Sequence, residues 1–219
     1  QGVVIALCLP KTAWPRLDTF TPYAVEKILE NINKTNNDKC AGIIAYKCVT
    51  DNKKDLLCLF PNVEYSSLCG LYDKGFKGET TIIFKTNVLK QFLFPKFYNE
   101  KFVTEVVVYD RIDRHYIYFI LEEIITIYEY QDSGLSNSMN RLIINNPIGF
   151  MECWRQRFFF SCQDKNITKI INSCINYICF SFNAHKYTIR INNQLQLLIV
   201  ILLYPLGLLK FIYLLIKRR

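Results

Sequence analysis

Thr21-Pro-Tyr-Ala-Val-Glu-Lys-Ile-Leu-Glu-Asn-Ile-Asn33, followed after a polar turn by Ala41-Gly-Ile-Ile-Ala-Tyr-Lys-Cys-Val49, sets the fold class. Thr21 offers a hydroxyl as N-cap, and Pro22 stands at the first helical position, where its missing N–H costs nothing. Ala24, Ile28 and Ile32 recur at helical spacing and Leu29 widens the stripe, so a helix running to about Asn33 is expected. Asn36, Asn37 and Asp38 make the turn, and 41–49 reads as a strand.

The same alternation extends outward in both directions. Val3 to Leu9 is a short apolar run that suits a buried parallel strand, closed by Pro10. Leu56 to Phe60 and Thr81 to Lys85 read as further strands. Phe102, Val106, Tyr109 and Ile112 recur at i, i+4 and i+7, which predicts a helix from near Phe102 to about His115 with Glu105 in its first turn. Asp110, Arg111, Asp113 and Arg114 read as its solvated face. A β-rich stretch, Ile124 to Tyr130, leads into a polar loop, Gln131 to Asn140, and from Arg141 the pattern is mostly helical. Alternating strands and helices make an α/β fold. At 219 residues and 51% hydrophobic content, one sizeable core plus an appendage is the natural organisation.

Charge and cysteine usage narrow the function. Residues 153–219 hold ten of the 27 Lys and Arg and one acid, Asp164, a balance of +9, while 1–152 sum to −1. The body of the chain offers phosphates no attractive field, which argues against nucleic acid as a partner. Nine cysteines show no CxxC pair or zinc spacing and read as reduced thiols; no secretory signal is visible. Leu195 to Ile216, 22 residues interrupted by Gln196, Pro205, Gly207 and Lys210, is followed by Lys217, Arg218 and Arg219. A span needs about 20 apolar residues. Lys210 would cost about 3 kcal/mol near the bilayer centre, and Pro205 would kink the helix. An interfacial or re-entrant helix is preferred over a full span, with a buried C-terminal helix as the third reading. The basic cluster would add about 1 kcal/mol of attraction to anionic lipids per well-placed cation.

Four stretches, taken in order, carry a resemblance: Asp18-Thr-Phe-Thr-Pro-Tyr-Ala-Val-Glu-Lys; Lys77-Gly-Glu-Thr-Thr-Ile-Ile-Phe-Lys-Thr with Phe94-Pro95; Lys101-Phe-Val-Thr-Glu105; and Glu129-Tyr-Gln-Asp-Ser-Gly-Leu-Ser136. Their order and spacing resemble bacterial family 2 glycosyltransferases of the kind that build surface polysaccharides. No single stretch is specific. The resemblance implies a GT-A (Rossmann-like) fold lacking its first nucleotide-binding strands: a partial transferase domain over 1–150, a helical extension over 151–191 and a basic apolar membrane-docking helix over 192–219.

What the resemblance implies for chemistry follows residue by residue. Glu105 matches the acidic residue that serves as general base, and Asp132, Ser136 and Asn137 fall in the acceptor-side loop. Asp18 matches the last aspartate of the motif that holds a divalent cation, Mg or Mn, on the nucleotide diphosphate. Pro15 and Leu17 stand where further acids would be expected, and an alternative alignment puts Leu9 in place of Asp18. Asp18 reads equally as a residue whose charge favours the helix N-terminus, and Glu105 as an ordinary first-turn glutamate. The implied activity is inverting transfer of a sugar from a nucleotide-sugar donor to a glycan or lipid-linked acceptor, at the cytoplasmic face of the bacterial cell membrane. The rival expectations are an inactive remnant and a membrane-associated partner or interaction protein.

Overall fold

The computed structural model describes residues 18–128, 139–186 and 189–217. The expected strand 3–9 and the loop residues 131–138 lie outside them. The chain forms an α/β protein with a mixed sheet, several helices and a C-terminal apolar helix. The described residues fall into two compact units, 18–93 with 108–128 and 94–107 with 139–217.

In the first unit the elements run β1 (Asp18–Phe20), α1 (Ala24–Asn31), β2 (Cys40–Cys48), β3 (Tyr65–Ser66), α2 (Leu68–Asp73), β4 (Glu79–Phe84), α3 (Thr86–Leu89), most of α4 (Val106–Asp113) and β5 (Ile117–Tyr128). The sheet order is β1-β5-β2-β4. Strands β2 and β5 are parallel, β1 and β4 run antiparallel to their neighbours, and β3 also pairs antiparallel with β5. Every β2 residue except Lys47 is buried, which is why 41–49 was legible as a continuous apolar run. Ala24 and Ile28 of α1 close over Ile43, Ala45, Ile83, Phe119, Leu121 and Ile125, a core of β-branched and small side chains. Gly42 is required by a close approach, since a Cβ there would lie 1.9 Å from the Ile83 carbonyl oxygen of β4. Between Ala45 opposite Leu121 and Tyr46 opposite Ile124, β5 bulges out Glu122 and Glu123, and Lys53 meets Glu123 at 3.0 Å.

Several local expectations change. Helix α1 starts at Ala24 behind Tyr23, with no side-chain cap, and continues beyond Asn31 as a 3-10 turn, Ile32–Thr35. The Thr21 hydroxyl donates instead to the Ile124 carbonyl at 3.1 Å, and its N–H to the Ile125 carbonyl at 3.0 Å, so a tertiary partner outcompetes the helix end. Leu29 is exposed. Leu56 to Phe60 forms no strand. Leu57 and Leu59 are 86% and 66% exposed, and only Phe60 is anchored, stacked on Tyr46 at 4.0 Å while its N–H donates to the Tyr46 hydroxyl. Helix α4 begins at Val106, not Phe102, and buries Val107, Val108, Asp110 and Ile112. Its acids are therefore not a solvated face: Asp113 accepts the N–H groups of Leu68 and Cys69 at 3.1 and 2.7 Å, holding the start of α2, and Arg111 donates to the Leu93 carbonyl.

The second unit is helical: α5 (Met139–Asn145), α6 (Pro147–Gln163), α7 (Ile167–Asn183) and α8 (Gln194–Lys217). Pro147 occupies the first turn of α6, and the Asn166 side chain caps α7 by accepting from the Lys169 N–H. Phe158, Cys174, Tyr177, Ile178, Val200 and Leu203 form the core between α6, α7 and α8. Gly207 lets α8 approach α7 closely, since a Cβ there would lie 2.5 Å from Ile178 side-chain atoms. Lys210, the charge that sequence alone left unexplained, donates to Asn176 Oδ1 at 2.7 Å from within the same helix pair. Helix α8 is long and apolar enough to cross a membrane, and most of its surface carries exposed Leu, Ile and Tyr.

Candidate functional site

In sheets with parallel strands, ligands bind outside the carboxyl ends of those strands, because helix starts, loops and free backbone groups gather there. In the first unit β2 and β5 end together, at Cys48 and Tyr128. Strand β1 runs the other way and so begins at this end, with Asp18 directly opposite Tyr128. The polar loop 131–140 follows Tyr128 by two residues in the sequence. The topology thus brings Asp18 beside Tyr128, the last described residue before that loop.

Lys47, the one β2 residue that is not buried, reaches Asp18 across Tyr128. Its ammonium lies 2.7 Å from Asp18 Oδ2 and 5.5 Å from the centre of the Tyr128 ring. The Lys47 and Asp18 side chains are 10% and 4% exposed, so the pair is shielded from water. Burial of this depth is tolerated because each charge has the other. The second oxygen, Asp18 Oδ1, is buried without a hydrogen-bond partner among the described residues. Deeper along the strands, the hydroxyls of Thr81 and Thr126 bond each other at 2.8 Å. Sequence reasoning had not singled out Lys47 or Tyr128. The signal was a single lysine in an otherwise apolar strand.

This arrangement gives a buried carboxylate with one oxygen paired to an ammonium and the other without a hydrogen-bond partner among the described residues. It does not by itself fit a divalent cation, which takes several oxygen ligands and is repelled by the ammonium already in place. No three His, Cys, Asp or Glu come together as a metal site among the described residues.

Glu105 lies in the second unit, half-buried, in the turn immediately before Val106 rather than in the first turn of α4. The segment leading to it is pinned to α6 from several sides. Glu100 accepts the Ile148 and Gly149 N–H groups at 2.5 and 2.7 Å, Asn146 Oδ1 accepts from Lys101 and Phe102 at 2.9 Å each, and Gln156 donates to the Val107 carbonyl. Burial raises the Glu100 carboxyl above its usual range, and the two backbone donors oppose that rise. The α6 N-terminus is therefore capped by a carboxylate from a distant loop, which serves the unbonded first-turn amides and the helix dipole together. Gly149 keeps the approach close, with the Phe102 carbonyl and Glu100 near its would-be Cβ. None of these supports was singled out in the sequence, where the pattern reads only as mostly helical from Arg141.

Asp132, Ser136 and Asn137 lie outside the described residues. Compared with protein-family models, curated proteins and solved structures, the chain matches none.

Proposed function

We propose that this chain is the acceptor-side and membrane-docking part of a family 2 glycosyltransferase of the GT-A type, working at the cytoplasmic face of a bacterial cell membrane. The observation that carries this reading is the placement of Asp18 opposite Tyr128 at the carboxyl ends of β2 and β5, just before the expected acceptor loop in the sequence. The four ordered stretches of resemblance and the exposed apolar helix α8 support it.

In this reading a glycan or lipid-linked acceptor presents a hydroxyl to Glu105. The carboxylate takes the proton as the oxygen attacks the anomeric carbon, the bond to the nucleoside diphosphate breaks, and the configuration inverts. The anchoring of residues 100–107 on α6 fixes the backbone from which Glu105 projects, as a general base requires. The resemblance implies a Mg or Mn ion on the departing diphosphate, for which Asp18, paired with Lys47, does not by itself provide a site. Asp18 is the one described residue that the resemblance offers to it.

The ammonium of Lys47 on Asp18 favours a second reading, an inactive remnant that keeps the fold and the membrane helix without donor binding. Calorimetry with nucleoside diphosphate sugars and Mn separates the two: binding in the micromolar to millimolar range supports the transferase, and none at all supports the remnant. Glu105→Gln should lower turnover by about 10²–10⁴-fold, and full turnover in that variant removes its role as base.

A further inference from the structure

The second unit contains an apolar pocket that the transferase chemistry does not use. It has a volume of 390 Å³ and is lined by Ile189, Ile191, Leu197, Val200, Ile201, Tyr204 and Pro205. Its size falls within the roughly 300–1,000 Å³ of small-molecule sites. Val200 is buried at its floor, while Leu197, Ile201 and Tyr204 are exposed at its mouth. Pro205 donates no backbone hydrogen bond, so the α8 backbone is locally open where the pocket forms.

Three features identify the occupant. The mouth is continuous with the exposed face of α8, where Leu198, Leu202, Leu209, Ile212 and Ile216 present hydrocarbon and no charge. Apolar surface of this extent on a soluble face would invite aggregation. Arg190, exposed between the pocket residues Ile189 and Ile191, has its backbone fixed by a 2.9 Å hydrogen bond from its main-chain N–H to the Tyr177 hydroxyl. Residues 153–219 carry a surplus of +9, which complements anionic headgroups.

We infer that this pocket takes one hydrocarbon chain of an anionic phospholipid, entering laterally from the bilayer, with its phosphate at Arg190. The inference rests on the membrane seat of α8 and is independent of whether Glu105 is a base. Such a lipid would fill the notch at Pro205 and fix α8 against the bilayer surface at a defined depth.

The test uses the full chain and two readouts. Co-sedimentation with phosphatidylcholine vesicles, with and without phosphatidylglycerol, reports the membrane seat. Native mass spectrometry after detergent extraction reports retained phospholipid. Leu197→Trp narrows the pocket mouth, Leu202→Trp adds the same bulk on the exposed face outside it, and Arg190→Gln removes the rim charge; circular dichroism checks that each is folded. The wild type and Leu202→Trp should retain phosphatidylglycerol. Leu197→Trp should hold it roughly tenfold more weakly, the loss expected when about two buried methylenes are excluded. Arg190→Gln should lose the preference for phosphatidylglycerol over phosphatidylcholine. Equal retention by Leu197→Trp and wild type, or no retained lipid in a wild type that sediments with vesicles, overturns the pocket assignment. A wild type that ignores vesicles altogether overturns the membrane seat and the pocket with it.

Discussion

Lys47→Met is the most informative single change in the sheet, because it leaves Asp18 buried without its cation. In the native protein Asp18 is 4% exposed, with Lys47 on Oδ2 and nothing among the described residues on Oδ1. Removing the ammonium leaves a buried carboxylate with neither oxygen neutralised, a change that costs about 3–5 kcal/mol in proteins generally. Loss of the cation over Tyr128 adds about 0.5 kcal/mol. At roughly 4 °C per kcal/mol, Tm should fall by about 14–22 °C. Asp18→Asn should cost less, about 1–2 kcal/mol, because the flexible Lys47 stem can lift its charge toward water. The double variant Asp18→Asn/Lys47→Met should be more stable than Lys47→Met alone, since both charges are gone. Calorimetric unfolding of all four proteins closes the cycle. A Lys47→Met loss under about 1 kcal/mol, or a double variant equal to the sum of the singles, would refute the buried-pair argument.

Gly42→Ala should destabilise by more than about 3 kcal/mol, read from urea midpoints, because its Cβ would collide with a backbone carbonyl that cannot rotate away. Burial pushes the Asp113 carboxyl above 3.8, with the Cys69 and Leu68 N–H groups opposing. A raised carboxyl favours folding below that value and loses its contribution as pH climbs through the folded-state pKa. Asp113→Asn should therefore flatten the pH dependence of stability as pH rises from 3.8 through the folded-state pKa, and an unchanged profile would contradict the assignment. Asn176→Leu removes the acceptor of Lys210 and should cost about 1.5–3 kcal/mol in detergent, with most of it recovered on adding Lys210→Leu.

What could be read from sequence was what local periodicity controls. The β2 strand, β4 and the helical C-terminal third were legible because apolar runs and helical spacing there coincide with burial. The errors arose where a tertiary partner replaced a local one. Thr21 looked like an N-cap, but its hydroxyl serves β5. Residues 102–105 fit a helical stripe, yet the Lys101 and Phe102 N–H groups donate to Asn146 at the start of α6, and the helix starts later. Asp113 looked solvated because the stripe was drawn one residue away from the buried face. At the candidate site, Asp18 was visible as a motif remnant, while its partner Lys47 was not, since nothing local links residues 29 positions apart.

The outer edge of β5 is not covered by one strand. Tyr65–Ser66 pairs opposite Tyr118 and Phe119, Asp18–Phe20 pairs opposite Thr126 to Tyr128, and between them the Ile120 N–H donates to the Glu64 carbonyl while Thr21 engages the carbonyls of Ile124 and Ile125. A twelve-residue strand rich in Ile, Tyr and Phe is the kind of edge on which a neighbouring chain can template. Its shield is a patchwork of three short pieces, and the bulged Glu122 and Glu123 act as charged gatekeepers in the middle. Protection of this edge therefore depends in part on the bonds at Thr21, and loss of that hydroxyl would loosen the seam between the two short strands.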